Sequence, residues 1–161
     1  MRPTSMEKEH YDICVIGGGP AGYAAAMRAV DLGQRVVLVE RDRIGGTGIY
    51  NGALASKTLW ELSQRVSSAN EVVRTRGREP FRLSWEEISK TLNEALFERK
   101  YLYACHMQLL ASHSADTPER FTHIRGEARF EDAHTVRVVR DEVSIEVSAD
   151  HFIIATGSRP R

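Results

Sequence analysis

The chain opens its ordered pattern with YDICVIG, residues 11–17, a short run that is apolar at almost every position. That is the signature of a strand covered on both faces. PAGYAAAMRAVDL (20–32) follows a glycine run and predicts a helix with small residues on one face. Pro20 suits its first turn and Gly33 its C-terminal end. RVVLVE (35–40) predicts a second covered strand. From residue 58 the period lengthens. TLWELSQRVSSANEVV (58–73) reads as a helix, RTRGREPFRL as a polar break, and Ser84 with Glu87 as a capping box. Trp85, Ile88, Leu92, Leu96, Leu102 and Leu109 then recur at helical spacing to about residue 112, a helix of ~40 Å. HSADTPER is expected as a loop. The remainder alternates with period two and predicts strands at FTHIRG, EARFE, TVRVVR, VSIEVS and HFIIATG, with turns at 132–134 and 141–142.

Composition narrows this little. The 161 residues carry 22 Lys+Arg and 22 Asp+Glu, so no global field favours nucleic acid. No apolar run has membrane-spanning length. MRPTSMEKEH (1–10) lacks the apolar core of a signal peptide and is expected as a frayed tail. The two cysteines, Cys14 and Cys105, lie far apart in the sequence, which makes a reducing cytoplasmic setting the default expectation. The histidines form no ligand set, so no metal site is expected.

Chemistry enters at the first strand–helix junction. Gly17, Gly19 and Gly22 make a G-x-G-x-x-G between a predicted strand and helix, and Glu40 ends the next strand 18 residues beyond Gly22. Gly17 permits the tight turn, Gly19 lets a pyrophosphate approach the backbone, and Gly22 lets the helix pack close to the sheet. The helix start at Pro20 and Ala21 offers free N–H groups and a positive dipole end. Glu40 can accept hydrogen bonds from both ribose hydroxyls, and its charge repels a 2′-phosphate. A nucleotide with an unphosphorylated adenosine ribose is expected here. A Rossmann domain for NAD continues with further strand–helix units. This chain instead inserts a second small-residue loop, GGTGIYNGALASK (45–57), two helices and a run of strands, which favours FAD.

Four segments in order, DICVIGGGPAGYAAAMRAVDLGQRVVLVE, GGTGIYNGALASK, HIRGEARFEDAHTVRV and FIIATGSRP, resemble the FAD-domain motifs of the pyridine nucleotide–disulfide oxidoreductases. The resemblance runs from about residue 11 to the end, and the helical insert and GSRP are most similar to the soluble transhydrogenases of that group. It implies an α/β fold: a Rossmann-like FAD-binding domain with a long helical hairpin insert and a small β-meander, incomplete at 11–161. It implies FAD as cofactor and NAD(P)H as co-substrate, with an unnamed electron acceptor and a homodimer for the longer protein. The NAD(P)H and dimerisation domains of the family are absent, so a chain ending at Arg161 is expected to bind FAD only in part and not to turn over.

The resemblance also assigns residues. Lys57 matches the lysine beside the flavin ring, where a cation stabilises negative charge; a solvated helix lysine is the plainer reading. Gly46 and Thr47 match the loop that meets the FAD phosphates, though Thr47 also suits a turn. Glu127 and Ala128 fall where backbone meets adenine, and Ala155, Thr156 and Gly157 where small residues pass the cofactor. Arg41 lies over the adenine edge or is a surface arginine. The family's two redox cysteines, however, align with Gly48 and Ala53. A disulfide relay needs a thiolate to attack and another to resolve. Hydride exchange through flavin without a disulfide is therefore expected. The alternatives are a non-catalytic FAD- or ADP-binding paralogue, a dihydrolipoamide dehydrogenase-like protein with a degenerate site, and another FAD class such as an amine oxidase or aromatic hydroxylase.

Overall fold

The computed structural model describes residues 9–111 and 120–158. In chain order its elements are β1 (Glu9–Ile16), α1 (Pro20–Asp31), β2 (Val36–Glu40), α2 (Gly46–Ile49), α3 (Ala53–Thr75), α4 (Trp85–Ala111), β3 (Phe121–Arg125), β4 (Glu127–Phe130), β5 (Thr135–Arg140) and β6 (Val143–Ile154). They belong to two units, one comprising the chain up to Gly46 and from His106 on, the other Thr47–Cys105. Residues 1–8 of the expected tail and 113–119 of the expected loop lie outside the described residues. Glu9 and His10, expected in that tail, instead open β1, because they pair with Val147 and Ser148 of β6.

The first unit is built on one six-stranded sheet in the order β3-β2-β1-β6-β5-β4. β3, β2, β1 and β6 run parallel to their neighbours; β4, β5 and β6 form an antiparallel meander. The two last strands expected from the sequence are one. Val143–Ser148 pairs with β5, and from Val147 onward the same strand pairs with β1. Ala149, which looked like a break, is wholly buried opposite Tyr11, so the backbone has no reason to turn there.

The pleat of β2 explains the layering. Val36 and Leu38 face one side with Ala26 and Ala29 of α1, Val15 and Phe121, joined by Met107 and Leu110 from the end of α4. Val37 and Val39 face the other, with Tyr11, Cys14, Val136, Val138 and Val147 from β1 and the meander. These four apolar side chains of β2 are all buried, a contribution on the order of 2 kcal/mol each. The chain passes from β3 to β4, at opposite ends of the strand order, through the single residue Gly126. A Cβ there would sit 2.5 Å from Val138 Cγ1 and 2.9 Å from the Val139 carbonyl oxygen. Only glycine lets the meander fold this tightly over the sheet.

The second unit holds the helical hairpin. α3 begins at Ala53, five residues before the expected start, so Lys57 is helical rather than in the loop. The capping box at α4 forms as expected: the Glu87 N–H donates to Ser84 Oγ at 3.2 Å, and the Ser84 N–H donates to Glu87 Oε2 at 2.7 Å. That backbone donor holds the Glu87 carboxyl below the usual carboxylate range. Leu59, Leu62 and Val66 of α3 line a groove with Leu83 and Ile88.

Candidate functional site: a glycine-loop cleft at the strand ends

The C-terminal ends of β1, β2 and β6 and the β3–β4 corner surround a cleft of about 370 Å3. A site at this end of parallel strands, where the order reverses, is where open α/β sheets hold ligands. Its lining includes Gly17, Glu40, Arg41, Glu127, Ala128, Thr156 and Gly157, all singled out in the sequence. Ile16, Val39, Gly126 and Ser158 complete it.

Each glycine of the fingerprint has a separate reason. Gly17 has φ +105° and donates its N–H to the Val39 carbonyl at 2.8 Å. A Cβ on it would lie 2.3 Å from the Ala155 carbonyl oxygen. Gly22 packs so closely behind the loop that its Cβ would lie 1.8 Å from the Gly17 carbonyl oxygen. Ala155 therefore backs the glycine turn itself, with its N–H donated to Ile16 at 2.8 Å. Gly19 differs. It caps α1 with φ −68°, and a Cβ added to it would meet nothing within 4 Å. The protein's own packing does not require a glycine at this position. Pro20 and Ala21 follow at the exposed start of α1, whose N-terminus has no side-chain cap and no acidic residue in its first turn. Gly46, at φ +42°, comes from the second loop, and its Cβ would lie 3.2 Å from the Gly19 Cα.

The acid is held firmly. The Gly18 N–H donates to Glu40 Oε2 at 2.6 Å and the Asp42 N–H donates to Oε1 at 2.7 Å. One backbone donor on each oxygen fixes the carboxylate plane and leaves further lone pairs on both. Gly18 was missed in the sequence, because the middle position of G-x-G carries no fingerprint requirement. Its need is local: a Cβ would lie 2.5 Å from Ile44 Cδ1 and 3.1 Å from Glu40 Cβ. Thr47 on α2 and Lys57 on α3 belong to the other unit, and both are exposed.

The aligned thiol positions hold Gly48, on α2, and Ala53, the first residue of α3. Cys14 is fully buried in β1, and burial pushes its thiol up to about 12. Cys105 is part-exposed on α4, and its side chain raises the Tyr101 hydroxyl through a hydrogen bond. A thiol reagent near neutral pH should therefore modify Cys105 and spare Cys14 until denaturant is added, since the thiolate is the reactive form. Prompt reaction of both sulfurs in the folded chain would contradict the packing of β1.

A glycine loop, a helix N-terminus and an acid at the end of the second strand define a dinucleotide-binding fold. The match to known proteins narrows the class. Residues 11–161 match the profile of the pyridine nucleotide-disulphide oxidoreductases, and the chain belongs to that family. It is 34% identical over 152 residues to the dihydrolipoyl dehydrogenase of Geobacillus stearothermophilus, covering 91% of this chain and 29% of that protein. It is 34% identical over 156 residues to the soluble pyridine nucleotide transhydrogenase of Vibrio cholerae, covering 96% and 32%. The mercuric reductase of Lysinibacillus sphaericus is 31% identical over 159 residues, with 96% and 26% covered. Among solved structures, the Cu(II) complex of the HOCl-induced flavoprotein disulfide reductase RclA from Escherichia coli superposes with a TM-score of 0.66 at 27% identity, over 94% of this chain and 29% of that one. The chain thus spans about a third or less of each of these relatives.

Proposed function

We propose that this chain forms the FAD-binding part of a flavin-dependent NAD(P)H oxidoreductase that moves hydride without a redox disulfide. The observation that carries the reading is Gly19. Its open face lies at an uncapped helix start, where a pyrophosphate would accept backbone N–H groups and meet the positive end of α1. Glu40, fixed by Gly18 and Asp42, would hold the adenosine ribose. Glu127 and Ala128 would border adenine, with Arg41, Thr156 and Gly157 closing the cleft. Gly46 and Thr47 would complete the phosphate loop. When bound, FAD supplies the hydride chemistry, and the protein orients and tunes it. Lys57 would place a fixed positive charge by the ring. Gly48 and Ala53 carry no sulfur, and Cys14 lies locked in β1, so the thiol relay of the family has no residues to run on.

On this reading NAD(P)H is the co-substrate, the acceptor is a second nicotinamide or another two-electron acceptor, and the longer protein is a cytoplasmic homodimer. No helix among the described residues is long and apolar enough to cross a membrane. The same absence of thiols motivates a second reading, a nucleotide-binding paralogue without catalysis.

The test is reconstitution. Titration of the chain with FAD should give saturable binding, seen as a change in flavin fluorescence. Failure of a longer form of the protein to bind FAD would end the flavin reading. In the loaded chain, Lys57→Ala should lower the flavin reduction potential by about 30 mV, a tenfold change for a two-electron couple. An unchanged potential would return Lys57 to the role of a solvated helix residue. Hydride transfer to any acceptor by a longer form of the protein would dismiss the non-catalytic paralogue.

A further inference from the structure

The corner at Gly126 has a second side. Sharing Arg41, Gly126 and Glu127 with the nucleotide cleft is an adjoining cavity of about 530 Å3, walled also by Arg125 and Arg140. The sheet register brings these cations together. Glu40 pairs with Arg125 across β2 and β3, so Arg41 leaves the end of one strand beside Arg125 at the end of the next. Arg140 reaches the cavity from the last position of β5. Among the described residues neither Arg41 nor Arg125 has an ion-pair partner, and Arg140 has only Asp141 at 3.8 Å. Of the three carboxylates in the wall, Glu127 is already turned to Arg129 at 3.4 Å. With Arg140 paired to Asp141 and Glu127 to Arg129, the wall keeps two guanidinium groups, those of Arg41 and Arg125, against one remaining carboxylate, Asp42.

We propose that this cavity is an anion site beside the dinucleotide cleft, sharing one wall with it, and that it takes a phosphate group carrying two or more charges. Planar guanidinium forks match phosphate oxygens with paired hydrogen bonds, which a single lysine charge does not. Like charges gathered in a concave wall repel one another until an anion fills it. The closely packed Gly126 corner, held against Val138 and Val139, gives the site a rigid floor. The phosphate is either free or carried by a nucleotide, and pyrophosphate and ADP distinguish the two.

The experiment is calorimetric titration of the FAD-loaded chain, at constant ionic strength, with pyrophosphate and separately with ADP. Saturable one-site binding of pyrophosphate is expected. Arg125→Gln and Arg140→Gln should each weaken it by about tenfold, the worth of one charged hydrogen bond. Arg82→Gln, on the exposed break before α4, should leave it unchanged. Two substitutions on different strands, each checked by circular dichroism, keep a folding defect in one from deciding the matter. Binding of ADP alone would assign the site to a nucleotide-borne phosphate. No saturable binding of either probe, equal weakening by Arg82→Gln, or one-for-one displacement of FAD by pyrophosphate would overturn the proposal.

Discussion

Gly22→Ala should lose about 3 kcal/mol of folding stability, while Gly19→Ala, three residues earlier, should fold normally and lose FAD. The two changes add the same methyl group to the same helix start. At Gly22 the new carbon would lie 1.8 Å from the Gly17 carbonyl oxygen and 3.1 Å from Ala155 Cβ. The nearer obstacle is backbone, so no rotamer change relieves it, and α1 must move away from the sheet. Overpacking in a well-filled core costs roughly 1–3 kcal/mol, occasionally more; this contact belongs at the upper end. The gain of about 1 kcal/mol in helix propensity on replacing glycine does not offset it. At Gly19 the added carbon meets nothing within 4 Å, and φ is −68°, which any residue adopts. Urea unfolding and FAD titration of both variants separate the roles. A Gly19→Ala variant that binds FAD with undiminished affinity would falsify the placement of the pyrophosphate at this helix start.

The second large effect is expected at Glu40. Glu40→Ala should weaken FAD binding by about a hundredfold, the loss of roughly two hydrogen bonds to a charged acceptor. It should also destabilise the chain by about 2 kcal/mol. The stability cost comes mostly from one side. Gly18 is buried, so its N–H loses its acceptor without gaining water; Asp42 is exposed, and water replaces the carboxylate there. Glu40→Gln retains one acceptor oxygen but turns an NH2 group toward one of the two backbone donors, and should fall between. Calorimetry with FAD and with ADP reads the affinity, and thermal unfolding without ligand reads the structural part. Equal FAD affinity in Glu40→Ala and the unaltered chain would place the ribose elsewhere.

Much of this site was legible because its requirements are local. A strand, a glycine turn and a helix within thirty residues carry their own periodicity, and the acid at position 40 ends the next apolar run. The two long helices and the closing run of strands followed from the same switch in period, and their assembly into an α/β fold with a helical hairpin and a meander followed from the family resemblance. What escaped was set by contacts between distant segments. Gly18 is needed because Ile44 and Glu40 crowd it, and Gly126 because Val138 and Val139 do. No spacing rule marks either. The continuity of β6 was hidden for a related reason. Ala149 and Asp150 look like a break between two strands in a linear reading, but pairing with β1 keeps the backbone extended through them. The start of α3 is hidden because its first residues, ALASK, continue the small-residue run of the glycine loop, yet the Ser56 N–H already donates to the Gly52 carbonyl at 2.8 Å.

The long final strand has a consequence for how the chain is made. On one edge β1 is covered by β2, which the ribosome delivers soon afterwards. On the other it waits for β6, with His10 and Ser148 separated by 138 positions. Throughout synthesis of the helical hairpin and the meander, the first strand keeps one row of amide and carbonyl groups open to any passing extended peptide, its own neighbours on a polysome included. Because synthesis runs from the N-terminus, residues Val147–Ile154 must emerge before that edge can be sealed.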